Sequence, residues 1–263
     1  MSQTHAQFLL SRLEAIGHSL AKRESALALI GLGSVGRELH RLDEYSDLDF
    51  FVVVAGGAKR AYLQDLSWLE DVAQPAYQFR NTPDGYKLLF ADGIFCEFAV
   101  FEQDELRSVP FSAGRVVWKR ENIPESIAVP EKTHTPQEKP TVEWLIGETL
   151  TNLYMGLSRD RRGEKLSAMR FIQVFAVERL LELAEIIELA TPSRAEYSSS
   201  VLPDVFAPER RFEQRYPWME LALADFMQGY ERNRQSARAI LEFLEEHFEI
   251  NQAMRKVILD YCQ

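Results

Sequence analysis

Proline divides this sequence. Between residues 123 and 140 the run IPESIAVPEKTHTPQEKP holds four prolines and no large apolar residue beyond its isoleucines and valines. Neither a helix nor a central strand continues through such a run, because proline lacks the N–H that either ladder needs. Residues 124–140 therefore read as an extended linker. Residues 1–123 mix strand and helix periods, whereas residues 141–263 are helical in pattern throughout. The expected class is α+β: a mixed-sheet domain over 1–123, then a helical bundle domain over 141–263.

Within the first half, Phe8, Leu9, Leu13, Ile16 and Leu20 recur at helical spacing. ALALIGLG reads as a short buried strand stopped at Gly33, and DLDFFVVV as a second strand rich in β-branched and aromatic residues. The glycine-led AGGAKRAYLQDLSWLEDVA continues as a helix. GYKLLFADGIFCEFAVFE reads as a hairpin turning at Asp92-Gly93, and RVVWKR adds one more strand. In the second half, four segments carry helical periodicity, and TPSRAEYSSSVLPDVFAPERRFEQRYP is a long polar break between them. No internal repeat is visible.

Charge and cysteine content narrow the function. The net charge of −10 argues against a nucleic-acid partner, since a phosphate footprint needs a basic surface. No apolar run is long enough to cross a bilayer, and the N-terminus lacks the plan of a signal peptide. The two cysteines, Cys96 and Cys262, suit free thiols in a reducing cytoplasm better than a disulfide framework.

Asp47 and Asp49 head a strand that is otherwise apolar. Residues i and i+2 of a strand share a face, so the two carboxylates project together while Leu48, Phe50 and Val52 go the other way. Parallel carboxylates repel unless something positive lies between them. They suit a hard divalent cation, and Mg2+ commonly takes its remaining ligands from water and phosphate. A third acid, Glu97, sits in the apolar strand IFCEFAVF. If that strand pairs beside the aspartates, three carboxylates converge; the competing reading is an edge strand whose acids face water. Upstream, a strand ends at Gly33-Ser34 and the VGRELHRL behind it reads as a short helix with Ser34 near its N-cap; the tight turn between them offers N–H groups and a serine hydroxyl that can grip phosphate oxygens.

Gly33-Ser34, then Ser46-Asp47-x-Asp49 heading an apolar strand, then an acid at Glu97 in a later strand, resembles the nucleotidyltransferase superfamily related to DNA polymerase β. The small-molecule branch, with its lincosamide and aminoglycoside antibiotic nucleotidyltransferases, joins such a domain to a helical bundle. The motifs cover residues 27 to 101. One departure stands out: the family often reads Gly-Ser-x-Ala-Arg-Gly, whereas here Glu38 replaces the last glycine after Arg37.

The resemblance implies Mg2+-dependent transfer of a nucleoside monophosphate, with ATP the expected donor, to a hydroxyl of a small-molecule acceptor, releasing pyrophosphate. It assigns Asp47, Asp49 and Glu97 to metal and catalysis, Glu97 as third ligand or general base. It assigns Gly33, Ser34, Arg37, Ser46 and Lys165 to the nucleotide. Arg37 would add positive charge to the phosphates or pair with Glu38 or Glu44. A homodimer is also compatible with the resemblance. The alternative function is a protein-modifying or antitoxin-like regulatory domain; a third is extension of RNA ends, which the acidity of the chain opposes.

Other signals weigh less. SRDRRGEK, Ser158 to Lys165, either reaches a triphosphate, chiefly through Lys165, or is a solvated helix–helix loop. Tyr154 either stacks on a base or packs in a core. ERRFEQRYPW either lines an acceptor pocket or packs the polar break against the bundle. The five histidines show no metal-ligand spacing.

Overall fold

The computed structural model describes residues 4–132, 140–190, 201, 204 and 207–263. The chain separates into two compact units, Met1–Pro136 and Gln137–Gln263. In the first unit, helix α1 (His5–Ala21) opens with a capping box, Thr4 and Gln7 satisfying each other's backbone N–H groups. Six strands follow: β1 (Ala26–Gly31), β2 (Leu48–Val54), β3 (Pro75–Thr82), β4 (Gly85–Phe90), β5 (Phe95–Glu102) and β6 (Arg115–Lys119). They form one sheet in the order β3-β4-β5-β2-β1-β6, in which only the β2–β5 pair is parallel. Short helices α2 (Lys59–Gln64), α3 (Ser67–Glu70) and α4 (Gln103–Leu106) fill the connections.

Alternation along the strands builds two apolar layers, one on each sheet face. Leu48, Phe50, Val52, Cys96, Phe98 and Val100 join Leu9, Leu13 and Ile16 of α1 and Trp68 of α3 in the larger core. Phe50 stacks on Phe98 at 5.3 Å between ring centroids and meets Trp68 edge-on. The opposite face buries Ala28, Ile30, Val53 and Phe101 under Leu106, Phe111, Ile123 and Ala128. Ala128 also accepts a backbone hydrogen bond from Gly114. Residues 123–128, at the start of the proline-rich run, thus pack with the first unit; residues 133–139 of that run lie outside those described.

The β4–β5 hairpin forms where the sequence places it, but its turn is longer than two residues. The backbone ladder closes at Phe90 and Ile94, and only Gly93 takes a positive φ, +89°. A three-residue loop with its glycine in the left-handed region is the next commonest way to join such strands. Strand β3 carries no sequence signal of burial, since nearly all of it is exposed along the sheet edge.

The second unit is helical, with α5 (Val142–Arg161), α6 (Lys165–Met169), a π-helical stretch (Arg170–Ala176), α7 (Val177–Ala190), α8 (Phe212–Arg215), α9 (Glu220–Phe226), α10 (Asn233–His247) and α11 (Gln252–Tyr261). One core gathers Leu150, Leu153, Leu180, Leu183, Phe226, Ile240 and Leu244. Most of the polar break before Glu209 lies outside the described residues. No described helix is long and apolar enough to cross a membrane.

Candidate active site

The site grows from the parallel pairing of β2 with β5. Its register sets Asp49 directly across from Glu97, with Leu48 opposite Cys96 on the core side. Both strands are interior to the sheet, so edge protection does not explain these acids. Glu97 shares its face with Asp49 and, across β4, with Lys87. Its two oxygens are both engaged: Oε2 lies 3.2 Å from the Lys87 ammonium, and Oε1 accepts a 2.8 Å hydrogen bond from Asn81 Nδ2. The other side-chain atom of that amide, Asn81 Oδ1, is buried without a hydrogen-bond partner among the described residues. An orphaned carbonyl oxygen is costly; the bond to Glu97 fixes the amide in that orientation.

Asp47 lies one residue before β2. Burial pushes the Cys96 thiol above its ordinary value, and the charges of Asp49 and Asp47 push it further.

β1 delivers the glycine turn to the same place. Leu32 N–H donates to Asp49 O at 2.8 Å, carrying the ladder one step past the strand. In place of the expected short helix, the chain makes 3-10 turns over Gly33–Val35 and Leu39–Arg41, with Gly33 at φ +50°. A Cβ on Gly33 would stand 3.8 Å from Asp49 Oδ2, so this turn and that carboxylate are neighbours. Two arginines clasp the turn to the start of β6. Arg37 Nε donates to Gly114 O at 3.0 Å, and Arg115 donates to Val35 O at 3.0 Å through Nη2.

The remaining candidates fall into different surroundings. Ser34 is part-exposed on the turn. Glu38, a candidate partner for Arg37, pairs instead with Arg41. The Ser46 hydroxyl donates to Asp43 Oδ1 at 2.9 Å and accepts from Asp43 N–H at 3.0 Å, which ties the loop ahead of Asp47. The Tyr45 N–H and that hydroxyl hold the Asp43 carboxyl below its ordinary value. His5 Nε2 lies 3.0 Å from Ser46 O and joins α1 to the same loop. Lys87 and Asn81 escaped the sequence reading altogether. Lys87 was legible only as part of a hairpin strand, and Asn81 belongs to the unforeseen β3.

Lys165 belongs to the second unit, where it pairs with Glu231 and lies over the Tyr230 ring. Its neighbours in SRDRRGEK spend their charge on the bundle: Arg159 covers Phe171 at 4.2 Å, and Arg161 donates to Asp260 O at 2.6 Å. Tyr154 stacks on Tyr261, and Tyr216 of ERRFEQRYPW is buried in the helical core.

Mg2+ is tested here by the donor set. Among the described residues no three His, Cys, Asp or Glu side chains gather closely enough to hold a metal ion. Mg2+ commonly binds through one or two carboxylates with water and phosphate rather than in an all-protein cage. Asp47 and Asp49 lie two residues apart at the head of β2, and Glu97 is held by Lys87 and Asn81.

No protein-family model matches the sequence, and no curated protein matches it. Among solved structures, an aminoglycoside 6-adenyltransferase from Bacillus subtilis aligns with 99% of this chain and 98% of its own, at 12% identity and a TM-score of 0.30. The CD-NTase CdnG of Bradyrhizobium diazoefficiens, in complex with GTP, aligns with 98% of this chain and 94% of its own, at 15% identity and a TM-score of 0.29.

Proposed function

We propose that the protein is a Mg2+-dependent nucleotidyltransferase that moves AMP from ATP to a hydroxyl of a small molecule. The observation that carries this reading is the β2–β5 register, which sets Glu97 beside Asp49 while the glycine turn of β1 ends against the same carboxylate. Asp47 and Asp49 are the residues that would hold Mg2+. When bound there, the ion would offset the charge that the triphosphate brings and builds during transfer. Gly33 and Ser34 present the turn's backbone and hydroxyl to the outgoing phosphates. The acceptor oxygen forms a bond to the α-phosphorus as the bridging bond to the β-phosphate breaks, and pyrophosphate leaves with that electron pair. Glu97 takes the hydroxyl proton. A lincosamide- or aminoglycoside-like antibiotic is the acceptor class that the sequence resemblance suggests.

The test pairs binding with chemistry. ATP with Mg2+ is expected to raise the melting temperature, and mass spectrometry is expected to find AMP added to a small-molecule acceptor. Asp49→Ala should melt cooperatively yet lose at least about a hundredfold in transfer, the scale on which a site loses one main electrostatic element. Wild-type turnover by that variant removes Asp49 from the chemistry. AMP on a protein or a lengthened RNA would replace the proposed acceptor class.

A further inference from the structure

The sheet face that carries Asp49 extends three strands beyond it to an open edge. One row of cross-strand neighbours runs Asp49, Glu97, Lys87, Phe79; the next row includes Phe95, Leu89 and Tyr77. Strand spacing puts Phe79 about 14 Å from Asp49 and about 10 Å from Glu97. Phe79 is 45% exposed and Tyr77 54%, their ring centroids 6.1 Å apart. Large aromatic rings left in water on the edge strand, tilted 50° to each other and in the same cross-strand rows as the acids, make this face polar near Asp49 and apolar at its rim.

We propose that this face is the acceptor platform: Tyr77 and Phe79 receive a flat ring of the acceptor while its hydroxyl reaches Asp49 and Glu97. This assignment rests on the nucleotidyltransferase reading and departs from the saturated-ring antibiotics that the sequence resemblance suggests: the acceptor is a hydroxyl compound that carries an aromatic or similarly flat apolar ring. The occupant follows from continuity with the site. A ligand spanning the face must be polar where it meets Glu97 and Lys87 and apolar where it meets Leu89, Tyr77 and Phe79. Asn81, on the same strand as the two rings, ties the platform to the carboxylate through its bond to Glu97. Stacking on an aromatic side chain gives affinity without demanding one particular ring.

Saturation-transfer NMR with nitrophenyl glucoside, against methyl glucoside as the ringless control, tests this in the presence of a non-hydrolysable ATP analogue and Mg2+. The nitrophenyl protons are expected to saturate on the wild type, and the control should give no comparable signal. In the Tyr77→Thr/Phe79→Thr double variant the ring signal should fall about tenfold, the loss of roughly one stacking contact. The melting shift with analogue and Mg2+ should stay unchanged. Threonine keeps the strand's propensity, and if the double variant does not fold, Tyr77→Thr alone gives the same reading.

Ring saturation that is absent, or equal in the variant, with the melting shift intact overturns the platform and leaves the transferase reading standing. A ring signal seen only without the nucleotide analogue overturns it in favour of base stacking. A wild-type dimer in sedimentation that the double variant abolishes overturns it in favour of self-contact. Failure of the analogue and Mg2+ to shift the wild-type melt removes both readings together.

Discussion

Gly36 has no room for a side chain. A Cβ there would stand 2.7 Å from Gly31 O and 2.8 Å from the Leu32 carbonyl carbon, backbone atoms that cannot swing aside. Gly33 is a different case: its φ of +50° strains any L-residue, but its nearest obstacle is at ordinary contact distance. Gly36→Ala should therefore cost about 1–3 kcal/mol as an overpacking change. Gly33→Ala should cost about 1–2 kcal/mol, the penalty for a side chain in the left-handed region. Urea midpoints at unchanged slope measure both. A neutral Gly36→Ala would mean that the turn has slack to move, and the rigid phosphate cradle proposed for it would be lost.

The element that shapes the site is the parallel β2–β5 pair, and it needs the β4–β5 hairpin held at the correct height. Arg12 of α1, itself buried, pairs with Asp92 in the hairpin turn and covers the Phe90 ring at 4.6 Å. Burial pushes the Asp92 carboxyl up, but the hydrogen bond and charge of Arg12 outweigh it and hold the group below its ordinary value. A carboxyl lowered by folding stabilises above its unfolded value, about 3.9, and loses that contribution as pH falls through the folded value. Asp92→Asn should thus lower the urea midpoint at neutral pH, and the gap from wild type should close below about pH 3.9. A gap that stays constant into acid would show that shape, not charge, ties the turn to α1. The Asp92-Gly93 signal, the two apolar strands and the acids on them were legible because burial writes alternation into the sequence. Strand β3 was not, because PAYQFRNT lies at the edge with its residues in water and no core imposes a pattern on it. Only the Tyr77–Phe79 alternation hinted at a strand. The β2–β5 pairing was legible only as a condition, since no local signal reports which of several strands lies beside another across some forty residues.

At the scale of the whole chain, the apolar clusters close separately within the two units, two in the first and one in the second, and Ala128 of the expected linker belongs to the first. The acids and the glycine turn belong to the first unit, and Lys165 belongs to the second. Its hydrogen bond to Glu231 pushes the Lys165 ammonium above its ordinary value, so the group stays charged but already faces a carboxylate. Around it, Asn233 bonds to Lys165 O and Asp160, and Arg234 bonds to Asp160 at 3.0 Å. The lysine thus sits within a polar network that the bundle uses for itself. Under the proposed function, Lys165→Met is accordingly expected to leave the KM for ATP within about twofold, the size of effect that exposed ion pairs usually show. Hydrogen exchange with ATP and Mg2+ should protect residues 31–37 and 47–49 in the wild type and in the variant alike. A KM raised tenfold, with protection weakened in the first unit, would instead make Lys165 a phosphate ligand.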